Sequence, residues 1–248
     1  MKDLILEMQY LRMLHIKDIP VVPFIQSSTG FAFENSGKAV VALHRVQGKH
    51  PAPSEFICKD VGAHLARIHS VPFSDFPPKK NWLRKSYVPE AVALVQKHLP
   101  SYSKQVTAAY DSLKHFDFAS LPKSITHGDV NQMNVLYNKK TVTAFLDWEE
   151  VGTEVSLLDL SICILGFCVE GRTLKNVWFQ NLLEGYQGIR PLTRPEKQCL
   201  PQAIRYAGFI VSIWSILHIH FYHRRSITEV GNVNFYWDFA WEHIECID

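Results

Sequence analysis

The chain has 248 residues, of which 47% are hydrophobic and 20% charged, and its formal net charge is +2. That length supports one large domain or two small lobes with a sizeable core, and a charge so close to neutral argues against nucleic acid or a charged membrane surface as partner. Five scattered cysteines without a CxxC pair argue against a disulfide frame or zinc site and point to reduced thiols in the cytoplasm.

The N-terminal stretch MKDLILEMQYLRML carries Asp3 and Glu7 and has no clean apolar block, so it does not read as a signal peptide. Leu4, Met8, Leu11 and Leu14 recur at three- and four-residue spacing and predict a helix over residues 3–16, ended by Asp18-Ile19-Pro20. Residues 21–26 predict a strand and Ser27-Ser28-Thr29-Gly30 a turn. Phe31 to Glu34 then pairs back across Asn35-Ser36-Gly37-Lys38 to the run Ala39 to Leu43, giving a small antiparallel sheet after a helix. His44 to Pro53 is a connector with Gly48 and two prolines. Composition shifts there from strand to helix, which sets a boundary between residues 1–46 and 47–248.

Ser54 caps a helix with Ile57, Val61, Leu65 and Ile68 on one face. Pro72 to Asn81 is a proline-rich loop, and Pro89 to His115 is one long helix or two broken near Pro100. Ile125 leads into a polar loop. Val135-Leu136-Tyr137 and Val142 to Leu146 follow as two short strands around Asn138-Lys139-Lys140. Val155 to Val169 is apolar nearly all round, as in a buried helix, and Leu174 to Gly188 is a more polar helix. A loop over residues 190–195 precedes a helix starting at Pro195. Residues 203–223 are the most hydrophobic stretch and approach the length of a membrane span, but Ser212, Ser215, His218 and His220 interrupt it. A central bundle helix is the better reading.

The chemistry concentrates between Ser124 and Asp159. Asp129, in His127-Gly128-Asp129, has the form of a turn-capping aspartate. Asn134, five residues on, gives it another meaning, because a kinase-type loop needs a carboxylate for the hydroxyl proton and, five residues later, an amide for Mg²⁺. Asp147 follows thirteen residues after Asn134, at the end of the second strand, where a second metal-binding carboxylate belongs.

HGDVNQMN followed by FLDWEE resembles the aminoglycoside phosphotransferase and choline kinase superfamily. The stretches DIPVVPFI, ALHRVQGKHP, VGAHLARIHSVPF, NWLRKSYVP and LLDLSICILGFC are most similar to type II homoserine kinases, over about residues 18 to 170. The resemblance implies an α+β, protein-kinase-like fold. Residues 1–46 would be a truncated, small antiparallel-sheet N-lobe and residues 47–248 a large, mostly helical C-lobe. It also implies ATP and Mg²⁺ as cofactors and a small-molecule hydroxyl as substrate. Asp129 would be the catalytic base, Asn134 and Asp147 the metal ligands, and the backbone at His44, Arg45 and Val46 the adenine contact. An ordinary strand end is the alternative for His44 and Val46. Asp159 would brace the catalytic loop.

Two departures stand out. Trp148-Glu149 after the metal aspartate is closer to choline and sugar kinases than to homoserine kinases, so choline-like or amino-sugar acceptors stand behind a homoserine-like one. The glycine-rich hairpin and strand lysine expected before the first helix have no counterpart in the sequence, which leaves Glu7 as either a lysine partner or a solvated helix charge. A non-catalytic kinase-like binding module is therefore the competing function. Glu149 reads equally as a support of the metal site or a turn residue. Arg84, Lys85, Arg224 and Arg225 read as solvated helix ends that could otherwise meet a substrate anion. The HxHxxH run of His218, His220 and His223 reads as a helix surface, since His218 does not share a face with the other two.

Overall fold

The computed structural model describes residues 2–25, 33–74, 76–77, 79, 81–83, 87–171 and 173–218. Helix α1 (Lys2–Ile16) buries Met8, Tyr10, Leu11 and Leu14, the expected stripe plus one tyrosine. It stops where Asp18 turns left-handed (φ 58) and the Ile19 N–H bonds back to the Leu14 carbonyl at 3.1 Å. The strand expected from Val21 is absent as a continuous element. Val21 and Phe24 make isolated bridges, to Phe145 and Leu43. Pro20 and Pro23 have no N–H to donate, so the ladder cannot propagate between them. Strands β1 (Phe33–Asn35) and β2 (Lys38–Val40) pair across Ser36 and Gly37. Both turn residues have positive φ, 53 and 76, as a two-residue hairpin turn requires. This hairpin is shorter than expected. Gln26, the Ser27 to Gly30 turn and Phe31 lie outside the described residues.

Helix α2 (Glu55–His69) opens on Ser54, whose Oγ accepts the Ile57 N–H at 3.3 Å, and buries Val61, Leu65 and Ile68. The long helical stretch is two helices, α3 (Tyr87–His98) and α4 (Pro100–Leu113), because Pro100 lacks the N–H that would bond back into α3 and is favoured in the first turn of a new helix. Next come β3 (Lys123–Thr126), a 3₁₀ turn (Gln132–Asn134), β4 (Val135–Asn138), β5 (Thr141–Phe145) and β6 (Gly152–Val155). β4 and β5 form the expected hairpin, with Lys139 left-handed at its tip. β6 was not expected as a strand, and it pairs antiparallel with β3. Buried helix α5 (Ser156–Phe167) follows. Leu174, expected to begin a helix, instead ends β8 (Thr173–Leu174), which pairs with β7 (Val169–Glu170), so α6 begins later (Asn176–Gln187). α7 (Arg194–His218) is one continuous helix through Pro201, which removes a single hydrogen bond to the preceding turn. Helices dominate, and the sheets among the described residues are two-stranded antiparallel pairs, an α+β architecture.

α7 is long and apolar enough to cross a membrane by length and composition, yet 67% of that stretch is buried inside the molecule, packed on α5, α3 and α4. It is the central bundle helix. Helices α2 and α6 pack at very close range because each presents a glycine to the other's backbone. A Cβ on Gly62 would collide with the Leu182 carbonyl, and one on Gly185 with the Lys59 carbonyl.

The deepest polar group is Asp159, fully buried in α5. Its Oδ2 accepts the His127 N–H at 2.8 Å and faces His69 Nε2 at 3.0 Å; its Oδ1 accepts the Gly128 N–H at 2.8 Å. His69 Nδ1 lies 2.7 Å from the Tyr186 hydroxyl, which also receives Arg190 Nη1 at 3.0 Å, while Arg190 Nη2 reaches the buried Glu196 at 2.8 Å. A neutral His69 protonated on Nε2 satisfies this chain. Tyr186 then donates to Nδ1 and accepts from Arg190. Burial pushes the Asp159 carboxyl up, but the hydrogen bond from His69, the neighbouring His69 and His127 imidazoles and the Gly128 N–H together hold it below its ordinary value of 3.8.

Two outcomes are expected. Gly185→Ala should lower stability by about 1–3 kcal/mol or more, read as a fall in thermal midpoint, since two helix backbones must separate to admit the methyl. Asp159→Asn should lower stability by about 3 kcal/mol at neutral pH, because an NH₂ then faces a donor. A carboxyl with a depressed folded pKa stabilises above its unfolded value and loses that contribution as pH falls through the folded one. The gap between wild type and Asp159→Asn should therefore hold at pH 5–8 and close below about pH 4 in acid denaturation.

Candidate active site

β3 ends at Thr126, and the chain then reverses over His127-Gly128-Asp129. Gly128 has φ 89, and a Cβ there would sit 2.8 Å from Glu150 Cβ, so glycine is required on both counts. The Gly128 peptide is held on both sides. Its N–H goes to Asp159, and its carbonyl accepts the Trp82 indole N–H at 2.8 Å. His127 is buried and packs against Trp148, with the rings tilted and their centroids 4.4 Å apart. Its Nε2 donates to the Leu146 carbonyl at 2.8 Å, and burial lowers its pKa, so the ring is neutral. One histidine thus ties the Asp129 loop to the end of β5.

Asp129 is gripped by two amides. Its Oδ1 accepts Asn131 Nδ2 at 3.0 Å and its Oδ2 accepts Asn134 Nδ2 at 2.7 Å. Burial raises its carboxyl to about 6, the Asn131 bond pulls it down, and the Asp147 charge adds to the rise. The Leu146 N–H donates to the Asn134 carbonyl at 2.8 Å, which brings Asp147, next in the chain, beside Asn134. Asp147 itself is left-handed (φ 57), a strained conformation for a non-glycine residue that turns its side chain away from the run of β5. The structure therefore brings Asp129, Asn134 and Asp147 together.

Asp129 and Asp147 border a cavity of about 230 Å³, which is lined also by Asn131, Glu149, Glu150, Trp82, Val211, Trp214 and Ser215. The rings of Trp82 and Trp214 are 6.0 Å apart, and Trp214 stacks on His218 at 4.5 Å. An adjoining cleft of about 240 Å³ shares Asp129, Asn131 and Val211 and extends to Gln132, Met133 and Gly166.

Glu7 is half-buried beside the site. Burial raises its carboxyl to about 7, opposed by Lys79 and reinforced by Glu149 and Asp147. It is not a solvated helix charge. His44 and Val46 do not line the cavity. His44 is exposed, and its N–H already bonds to the Pro23 carbonyl at 2.8 Å, so its N–H is not available to a ligand. Arg84, Lys85, His220, His223, Arg224 and Arg225 lie outside the described residues.

Sequence reasoning missed Trp82, Asn131, Glu150 and Trp214 as cavity residues. Asn131 and Glu150 carried a signal, their places inside HGDVNQMN and FLDWEE. The tryptophans come from a loop and from a helix far along the chain, and no spacing rule links them. No cluster of three His, Cys, Asp or Glu suited to a metal occurs among the described residues. Asn134 and Asp147 supply one amide and one carboxylate, a donor set that fits Mg²⁺ when phosphate oxygens and water complete the coordination. The described cysteines, Cys58, Cys163, Cys168 and Cys199, are free thiols.

Comparison with known proteins gives the family and the fold. The homoserine kinase of Polaromonas naphthalenivorans (strain CJ2) is 26% identical over 205 residues, which is 79% of this chain and 65% of that protein. This chain thus spans just under two thirds of that relative's length. Among solved structures, the amicoumacin kinase hAmiN in complex with AMP-PNP, Ca²⁺ and Ami superposes with a TM-score of 0.73 at 16% identity, covering 99% of this chain and 79% of that one. A microcompartment-associated aminopropanol kinase gives 0.69 at 16% identity, covering 95% and 78%. These likenesses establish the kinase-like fold. Residues 2–192 match the model of the phosphotransferase enzyme family (APH), and the chain belongs to that family.

Proposed function

We propose that this protein transfers the terminal phosphate of ATP to the hydroxyl of a small amino alcohol, homoserine-like in the first instance. The observation that carries the proposal is the Asp129 carboxylate, oriented by Asn131 and Asn134 at the floor of a cavity walled by acids and indoles. Asp129 accepts the acceptor's proton as its oxygen bonds to phosphorus and the bond to the leaving ADP breaks. The amide bonds leave Asp129 no rotational search, so the hydroxyl meets a carboxylate already in place. Asn134 and Asp147 hold Mg²⁺, which when bound neutralises phosphate charge. His44 and Val46 meet the adenine through their backbone, His44 by its carbonyl. Glu149 and Glu150 with the faces of Trp82 and Trp214 suit an ammonium group on the acceptor. That chemistry is common to homoserine, ethanolamine and choline. The relatives are metabolic kinases by name, which agrees with a cytoplasmic setting.

Mg²⁺-ATP at millimolar concentration should raise the thermal midpoint of the purified chain by several degrees, as binding to the native state alone requires. No shift would turn the reading to a kinase-like binding module. Asp129→Asn should cut kcat by about 10²–10⁴-fold while nucleotide affinity holds. Coupled-assay turnover with homoserine, ethanolamine, choline and an aminoglycoside identifies the acceptor, and an unchanged rate in the variant would remove Asp129 from the role of base.

A further inference from the structure

The loop between α2 and α3 carries a lysine whose placement is over-determined. Two residues before it, the Pro77 carbonyl accepts the buried Tyr10 hydroxyl at 2.7 Å, and Phe76 packs on the Tyr10 ring at 5.0 Å. Two residues after it, Asn81 donates to Thr126 Oγ1 at 3.1 Å; the Trp82 indole then reaches Gly128. The Lys79 backbone also lies against Gly152, where a Cβ would stand 2.9 Å from the Lys79 carbonyl. One anchor belongs to α1 and the other to the end of β3 and the Asp129 loop, so the segment around Lys79 ties these elements together.

Its side chain runs to the acidic wall. Lys79 Nζ donates to the Glu149 carbonyl, two residues past Asp147. Among the described residues, Lys79 is the cation acting on both Glu7 and Glu149. Asp129, Asp147, Glu149 and Glu150 all border the cavity, with Glu7 beside them. A polyphosphate entering such a field is repelled unless a cation meets it. An ammonium has three donors, and the Glu149 carbonyl engages one.

We propose that Lys79 is a phosphate-gripping residue: its ammonium, posted between Glu149 and Glu7, binds the terminal phosphates of the nucleotide that the Asp129–Asp147 site receives. This rests on the phosphotransferase proposal above. It assigns the contact to a lysine on the loop before α3, and Glu7 positions that lysine from α1. A loop tether to the Glu149 carbonyl is the structural alternative, and it predicts lost stability without selectivity for phosphate.

The test compares Lys79→Met and Lys79→Arg with wild type by calorimetric affinity for Mg²⁺-AMP-PNP and for adenosine, by the apo thermal midpoint, and by kcat. Lys79→Met should weaken AMP-PNP at least about ten-fold and lower kcat about 10²-fold. Adenosine affinity should hold, and the midpoint should stay within about 2 °C. Lys79→Arg should recover most of the AMP-PNP affinity. Unchanged AMP-PNP binding in Lys79→Met overturns the assignment while leaving the phosphotransferase reading intact. Equal losses for adenosine and AMP-PNP, with a fallen midpoint, overturn it in favour of a tether. A wild-type chain that binds neither AMP-PNP nor adenosine overturns both readings.

Discussion

The site depends on one buried carboxylate. Asp159 sits in the most apolar helix of the molecule, and the backbone N–H groups of His127 and Gly128 converge on it. A charge in such a place persists only when each lone pair has a donor, and here three donors meet it. The reward is positional. Gly128 must hold a left-handed backbone, and with its N–H and carbonyl both engaged it cannot relax. Asp129, the next residue, is therefore aimed by the fold and needs no contact with substrate to be in place. The same carboxylate reaches outward through His69, Tyr186 and Arg190 to Glu196, so the start of α7 and the turn after α6 share in holding the loop.

Around that fixed point the molecule gathers negative charge. Asp129, Asp147, Glu149 and Glu150 border one cavity, and Glu7 stands behind them. Phosphoryl transfer asks a protein for positioning and charge stabilisation more than for covalent chemistry. On the proposed function, an acidic wall serves that end by holding cations: a divalent ion at Asn134 and Asp147, an ammonium on the acceptor near the indoles, and Lys79 at the edge. On that proposal the carboxylates would select what enters, and the cations they hold would make room for the phosphates.

Much of this was legible in the residues. Leu4, Met8, Leu11 and Leu14 specify α1, Ser54 begins α2, Pro100 divides α3 from α4, and Asn138-Lys139-Lys140 marks the β4–β5 hairpin. All are local rules of periodicity, capping and turn chemistry. The spacing of Asp129, Asn134 and Asp147 was likewise readable, because the 3₁₀ turn and the hairpin that separate them are short and stiff. Where local rules competed, the reading failed. Pro23 broke the strand from Val21, and Thr173-Leu174 joined a hairpin ahead of the helix because Gly171 supplied a left-handed turn (φ 61).

The amino-acid sequence by itself determined the family likeness, most of the helices, the β4–β5 hairpin and the spacing of the trio Asp129, Asn134 and Asp147, since each follows from neighbours within a few turns of chain. Only the tertiary structure decided what surrounds the trio. Glu7, Lys79, Trp82 and Trp214 reach it from a first helix, a proline-rich loop and a distant core helix. No spacing encodes those approaches, because they are set by buried contacts such as Tyr10 to Pro77, Trp82 to Gly128 and α7 on α5. Contacts between segments far apart in sequence exist only once the core has closed around them.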